Sequence, residues 1–123
     1  MDDDHLHDIF AGVGPVTIRR MFGGKGIYLH GLVFALDAFD QVWIKADDES
    51  QAAFEAAGSV QFSYDGKNRT VKLPYWRLPD AALEEPDEAA RWARLGIAAA
   101  RRRRLVSAAK KTTRKASKSS KSA

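Results

Sequence analysis

Ile27 and Leu29 alternate with Tyr28 and His30, and Val42 and Ile44 alternate with Trp43 and Lys45. This is the period typical of strands with one buried face. Between them, residues 32–36 are apolar at every position, and such a run predicts a central strand covered on both faces. A first strand is predicted over residues 16–22. Together these segments indicate a strand meander that forms the scaffold of the chain.

The connections between these segments carry turn residues. His30-Gly31 predicts a two-residue hairpin turn, because the glycine tolerates a positive φ, and a longer turn is predicted over residues 37–40. A second hairpin is predicted from strands over 60–64 and 69–73, joined at Asp65-Gly66. The pairing is therefore expected to be antiparallel throughout.

Three stretches have helical spacing. A short N-terminal helix is expected to be capped by Asp3 or Asp4, and a second helix by a capping box at Asp48, with Gly58 as its end. The third helix begins at Pro86, a residue favoured in the first helical turn. Its predicted inward stripe consists of Ala89, Trp92, Ala93, Gly96, Ile97 and Ala100.

The charge of the chain is divided along its length. Residues 1–100 contain ten Lys and Arg against sixteen Asp and Glu, whereas residues 101–123 contain ten cations and no acid. We therefore predict a domain over 1–104 and a Lys/Ser/Ala-rich basic tail over 105–123. The tail has too few large apolar residues to offset its chain entropy, so it is expected to be disordered in free solution.

The basic end predicts contact with DNA or RNA, because unpaired cations are attracted to phosphate. It contains no aromatic residue for base stacking, so this contact is expected to be largely independent of sequence. A solubilising tail that binds nothing specific is the alternative. The candidate residues are Arg101, Arg102, Arg103, Arg104, Lys110, Lys111, Arg114, Lys115, Lys118 and Lys121.

The chain has no cysteine and no apolar run of membrane-spanning length. No disulfide, thiolate zinc site or membrane association is therefore expected. A cytoplasmic protein is predicted, associated with the nucleoid if the tail binds DNA.

Several motifs have both a chemical and a structural interpretation. Residues 23–26 could approach a phosphate, but no Ser or Thr and no helix follow Lys25, so a tight turn or bulge is the alternative. His5 and His7 form a metal-like pair without a third ligand, and the acids over 84–88 suit a helix start. We therefore predict no catalytic residue, no metal site and no cofactor.

Some charged and aromatic side chains could form a surface that binds a partner. Arg19 and Arg20 lie on opposite faces of the first strand, so they are expected to be solvated or ion-paired unless one serves a binding face. Tyr75 and Trp76 either pack on the core or anchor a partner, and Leu95 lies off the stripe of the last helix. A homodimer and a protein partner are therefore expected.

One combination of motifs resembles a known family. The block Arg20-Met21-Phe22-Gly23-Gly24-Lys25-Gly26, with the later strands and a Trp92-Ala93 helix, is similar to the N-terminal domain of the TfoX/Sxy family. The resemblance covers roughly residues 8–102. It implies an α+β fold, a two-layer antiparallel sheet with helices packed on it, similar to secretion chaperones and prone to dimerise. The block residues would have structural roles.

The namesakes of that family regulate bacterial competence genes, and its longer members carry a second, C-terminal domain where this chain has a basic tail. The resemblance therefore implies a non-enzymatic regulatory binding module, with a role in transcription or competence. One alternative is a nucleoid-associated protein that acts mainly through its tail. Another is an enzyme that uses the Gly-rich turn.

Overall fold

A computed structural model describes residues 1–21 and 23–122, with side chains described through residue 109. The elements are α1 (Asp3–Ile9), β1 (Thr17–Met21), β2 (Gly24–Leu29), β3 (Leu32–Ala38), β4 (Gln41–Lys45), α2 (Gln51–Ala56), β5 (Gln61–Asp65), β6 (Thr70–Arg77), a 3-10 turn (Asp80–Ala82) and α3 (Pro86–Ser122). The six strands form one open antiparallel sheet in the order β1-β2-β3-β4-β6-β5. The predicted α+β fold is confirmed.

The helices pack on one face of this sheet, here called the helix face. From α1, the ring of Phe10 meets Phe34 edge to face at a centroid distance of 5.2 Å. From α2, Phe54 stacks 6.3 Å from Trp76, and α3 lies across β3 and β4. The opposite side, here called the open face, is covered by no helix among the described residues.

A β-bulge in β3 explains its uninterrupted apolar run. Ile27 pairs with Ala35 and the next residue, Tyr28, pairs with Val33, so Phe34 is an extra residue between the two pairs. Phe34 and Ala35 are both fully buried, because a bulge directs two successive side chains to similar sides. The prediction that β3 is covered on both faces is therefore wrong, and Val33 lies half-buried on the open face.

Strand β6 is longer than predicted, since it continues past Leu73 to Arg77. It passes through Pro74, which has no backbone N–H and normally interrupts a ladder. The pairing with β5 is irregular at this point, and the side-chain amide of Gln61 donates a hydrogen bond to the Leu73 carbonyl at 3.0 Å. On the other side, the Ala46 N–H donates to the Pro74 carbonyl at 2.9 Å, so the proline is accommodated.

Two local predictions need correction. The N-cap of α1 is Asp2, whose carboxylate accepts a hydrogen bond from the His5 N–H at 2.8 Å, and not one of the two following aspartates. The turn after β3 is a two-residue turn, because Phe39 and Asp40 have φ values of 53° and 57°. Asp37 is consequently a buried strand residue.

Other local predictions are confirmed. His30 and Gly31 both have positive φ, at 50° and 79°, as a two-residue hairpin turn requires. Gly58 follows α2 with a φ of 75°. The inward stripe of α3 is buried, and a Cβ on Gly96 would lie 2.8 Å from the Phe34 carbonyl oxygen, so the glycine permits close packing of helix on sheet.

The expectation of disorder over residues 105–123 in free solution stays a prediction. Within the part of the chain that the structure describes, no helix combines the length and the apolar character needed to cross a membrane.

Candidate nucleic-acid interface

The arginine run of α3 begins where the helix reaches the end of β4, and one of its members is bound to the domain. The Nε and Nη2 atoms of Arg102 donate hydrogen bonds to the two Asp47 carboxylate oxygens at 2.6 and 2.9 Å. Glu49 adds an ion pair at 3.0 Å. Hydrogen bonding from Arg102 is the main reason that the pKa of Asp47 lies below its usual value. Arg102 therefore attaches α3 to the domain.

The same aspartate organises the start of α2. Asp47 Oδ1 accepts hydrogen bonds from the backbone N–H groups of Glu49 and Ser50, both at 3.2 Å. The capping box predicted at Asp48 is wrong, because the residue before it supplies the acceptor. Asp47 thus connects β4, α2 and α3 through one carboxylate.

The other three arginines of the run are exposed. Arg101, Arg103 and Arg104 have no ion pair with a carboxylate among the described residues. Arg103 lies near Lys45 and contributes, after burial, to a lowered pKa of that lysine. Arg104 lies over the β2–β3 turn, with Nη2 4.0 Å from the position of a Cβ on Gly31. These three cations are available to bind an anion.

The remaining cationic candidates lie further along the chain. Their side chains are outside the described residues, so the structure gives them no position relative to the three exposed arginines. They are Lys110, Lys111, Arg114, Lys115, Lys118 and Lys121.

The open face carries aromatic and cationic side chains at the end of the sheet nearest these arginines. Lys45 and Tyr75 pair across β4 and β6, with the lysine Nζ 5.7 Å from the ring centroid. Burial raises the pKa of Tyr75 to about 12, and the nearby Tyr28 adds to this increase. Tyr28 and Tyr75 thus lie on the same face of the sheet, in β2 and β6, with β3 and β4 between them.

The ring of Tyr28 lies over Gly26. A Cβ at Gly26 would lie 3.0 Å from the tyrosine Cε1 and 3.2 Å from the terminal methyl group of Met21. The guanidinium of Arg19 lies 5.6 Å from the Tyr28 ring centroid. Gly26 and Met21 thus have structural roles as neighbours of this ring. We call Arg19, Tyr28, Lys45 and Tyr75 the open-face cluster.

The three residues expected on a partner surface are not brought together. Trp76 lies in the core, 8% exposed, and Leu95 packs partly buried against that core. Tyr75 is half-buried on the open face. Strand alternation explains the separation, since neighbours in a strand point to opposite faces.

The Gly-rich turn has close backbone packing. Gly23 has a φ of 79°, and a Cβ on Gly24 would overlap the carbonyl oxygen of Asp37. Lys25 is already engaged, because its Nζ lies 2.7 Å from both the Met1 carbonyl oxygen and an Asp3 carboxylate oxygen. Each of these contacts favours the structural interpretation of the turn.

A cleft of about 570 Å³ lies beside that turn, and Arg20 is among its lining residues. Phe22 of the same block lies outside the described residues. The cleft also contains Asp37 and Asp40, which bind the N-terminal amine at 3.2 Å each. The cleft therefore contains charges of both signs.

The other motifs of the sequence are dispersed. His5 and His7 are both exposed on α1, and Glu88 forms an ion pair with Arg91 at 2.9 Å. Over residues 1–21 and 23–109, no group of three or more His, Asp or Glu residues is arranged to hold a metal ion.

Sequence reasoning missed Tyr28, Lys45 and the role of Asp47. A glycine two positions before an aromatic residue in a strand is a signal that the ring has space on that face, as at Gly26 and Tyr28. The pairing of Lys45 with Tyr75 depends on the register between β4 and β6, and no local pattern shows it.

Comparison with known proteins places this architecture in a family. No curated protein matches the chain. The sequence model for the TfoX N-terminal domain matches residues 8–100 of the 123, a segment that contains all six strands and the domain-packed part of α3. The chain therefore belongs to the TfoX N-terminal domain family.

Proposed function

We propose that this protein is a non-enzymatic regulatory binding module that contacts nucleic-acid phosphates through the exposed arginines of α3. The observation that carries this proposal is the contrast within the arginine run. Arg102 is bound to Asp47, whereas Arg101, Arg103 and Arg104 are exposed without a carboxylate partner in the described structure.

The position of these cations supports phosphate binding. The Arg102–Asp47 pair holds this turn of α3 against the domain, so the neighbouring arginines are presented from a fixed base. A fixed cation loses less conformational freedom on binding than one on a free chain. The lysines and arginine further along the chain would extend the same positive charge toward additional phosphates.

The experiment measures binding of the full chain to a labelled DNA duplex over a range of salt concentrations. The variant R101Q/R103Q/R104Q removes three cations, and K67Q/R69Q/K72Q removes three exposed cations near the β5–β6 turn as a control of equal charge. The first variant is expected to bind more weakly, and its salt slope should fall by about 0.9 for each phosphate that is no longer neutralised. The control should stay close to the wild type.

Equal weakening by both triple variants would contradict an interface at α3, since it would reflect net charge alone. Absence of binding by the wild type to both duplex and single-stranded DNA at moderate salt would contradict nucleic-acid contact altogether. Competition between duplexes of different sequence then separates two modes of action. A preference supports a transcription regulator, and its absence supports a nucleoid-associated role.

A further inference from the structure

The open face ends beside the exposed arginines of α3, and it combines rings with positive charge. Tyr28 and Tyr75 lie on this face, with Arg19 over the first ring and Lys45 over the second. We propose that this end of the open face is a stacking surface for the bases of a single-stranded nucleic acid, whose phosphates contact the α3 arginines. This inference rests on the proposed function and names its substrate class.

The architecture leaves these rings accessible from one side. All three helices pack on the helix face, through contacts such as Phe10–Phe34 and Phe54–Trp76. Both tyrosines belong to the opposite side and are half-buried. An open antiparallel sheet with aromatic side chains on its uncovered face is a surface on which unstacked bases can lie.

The charge of the open face favours an anionic occupant. In the described strands, the residues that alternate onto this face include the cations Arg19, Lys45 and Arg77 and no Asp or Glu. A second copy of this chain would bring three cations against three cations. Like charges without counter-ions disfavour such a contact, so a polyanion is the better match.

The open-face cluster is continuous with the α3 arginines at two places. At the end of β4, Lys45 and Arg103 line the same depression. At the β2–β3 turn, Gly31 lies beside Arg104 and also lines a small depression with Arg19 and Tyr28. A strand of nucleic acid can therefore contact the arginines with its phosphates while its bases reach the tyrosines.

The cations above the two rings are compatible with this role. Arg19 and Lys45 lie 5.6 and 5.7 Å from the centroids of Tyr28 and Tyr75, at the ends of flexible side chains. They can turn toward phosphate when a base takes the ring face. Each ring that stacks on a base is expected to contribute about tenfold in affinity.

The test uses the full chain with two probes of equal length and charge, an oligothymidylate of about ten nucleotides and its abasic counterpart. The wild type is expected to bind the oligothymidylate more tightly than the abasic strand. The Y28A/Y75A variant should lose this difference in affinity, which is about a hundredfold at most for two rings. Its affinity for the abasic strand should equal that of the wild type. Y28F/Y75F should retain the difference, because phenylalanine stacks equally well.

Tyr64 provides a matched control. It is an exposed tyrosine of β5, and it pairs with Val71, four residues from Tyr75 along β6. Y64A should bind both probes like the wild type. Thermal unfolding of each variant shows whether the fold is retained. The affinities of the wild type for the two probes test the proposal without any substitution.

Equal affinity of the wild type for both probes would overturn the stacking surface and leave phosphate binding by α3 intact. If the wild type binds none of the probes, including the duplex, the proposed function is overturned as well. If polyglutamate binds as tightly as the oligothymidylate and depends on both tyrosines, the occupant is an acidic protein segment and the inference is wrong.

Discussion

Arg102 Nε lies 2.6 Å from Asp47 Oδ2 across 55 residues of sequence, and this pair attaches α3 to the connection between β4 and α2. Both side chains are about one-third exposed, so solvent screening limits the contribution of the pair to stability. The two parallel hydrogen bonds nevertheless make it stronger than an ordinary surface ion pair.

The first prediction concerns this carboxylate. Asp47→Asn removes the charge but keeps an oxygen that can accept from the Glu49 and Ser50 N–H groups. We expect the free energy of unfolding to fall by about 1 kcal/mol at neutral pH. Because the folded-state pKa of Asp47 is lowered, its contribution is present above the ordinary value of 3.8 and is lost as pH falls through the folded pKa.

Urea unfolding of wild type and variant at neutral and acidic pH measures this dependence. The difference in free energy of unfolding between wild type and Asp47→Asn should become smaller at acidic pH. Asp48→Asn is the control, since Asp48 is exposed, and it should change stability little. A gap that stays constant with pH would show that the charge of Asp47 is not the source of the effect.

The second prediction concerns the helix–sheet contact at Gly96. Glycine to alanine within a helix normally stabilises it by about 1 kcal/mol. Here the new Cβ would lie 2.8 Å from both the Phe34 carbonyl oxygen and Ile44 Cγ2, so we expect Gly96→Ala to destabilise the fold by about 1–3 kcal/mol. Chemical denaturation measures this change in stability. Ala98→Gly on the same helix is the control that measures the effect of helix propensity alone. Stabilisation by Gly96→Ala would contradict the close packing.

The third prediction separates two glycines of the Gly-rich turn. Gly23→Ala meets no atom within 4 Å, but its φ is +79°, so it should cost about 1 kcal/mol. Gly24→Ala would overlap the Asp37 carbonyl oxygen, and we expect a loss of at least about 2 kcal/mol. Denaturation midpoints of the two variants give the order. The reverse order would favour a role for the turn other than backbone packing.

The fourth prediction concerns alkaline pH. Burial raises the pKa of Tyr75 to about 12, so its phenol should ionise well above its ordinary value of 10.0 in an absorbance titration. Since the folded pKa is raised, the associated stability is complete below the ordinary value of 10.0 and is lost as pH rises toward 12. Tyr75→Phe should remove the ionisation of this phenol from the titration. It should also make the free energy of unfolding less sensitive to pH over this range. Ionisation of the Tyr75 phenol near 10.0, identified as the part of the titration that Tyr75→Phe removes, would contradict the burial of Tyr75.

The sequence predicts those features whose cause is local. The stripe of α3, with residues such as Ala89 and Ile97 at helical spacing, is buried as expected. The His30-Gly31 turn follows from the backbone freedom of two adjacent residues. The family block is also local, and it led to the α+β fold with helices on an antiparallel sheet.

Features that depend on a distant partner were not predictable. The strand predicted over residues 69–73 stops before Pro74, and only the irregular pairing with β5 shows how β6 continues through this proline. In sequence Arg102 is identical to its three neighbours, and its position opposite Asp47 alone distinguishes it. The residues of the open-face cluster belong to separate strands. Strand register brings them together, and no pattern within one segment indicates it.

The bulge in β3 has a consequence for how the length of this domain can vary. Phe34 is the residue in excess of the β2–β3 register, so a chain lacking that one position could keep the pairs Ile27–Ala35 and Tyr28–Val33. It would lose the ring against which Phe10 of α1 packs. A single-residue deletion here would therefore weaken the packing of the N-terminal helix while preserving the strand register, a change that an alignment would register as a minor gap.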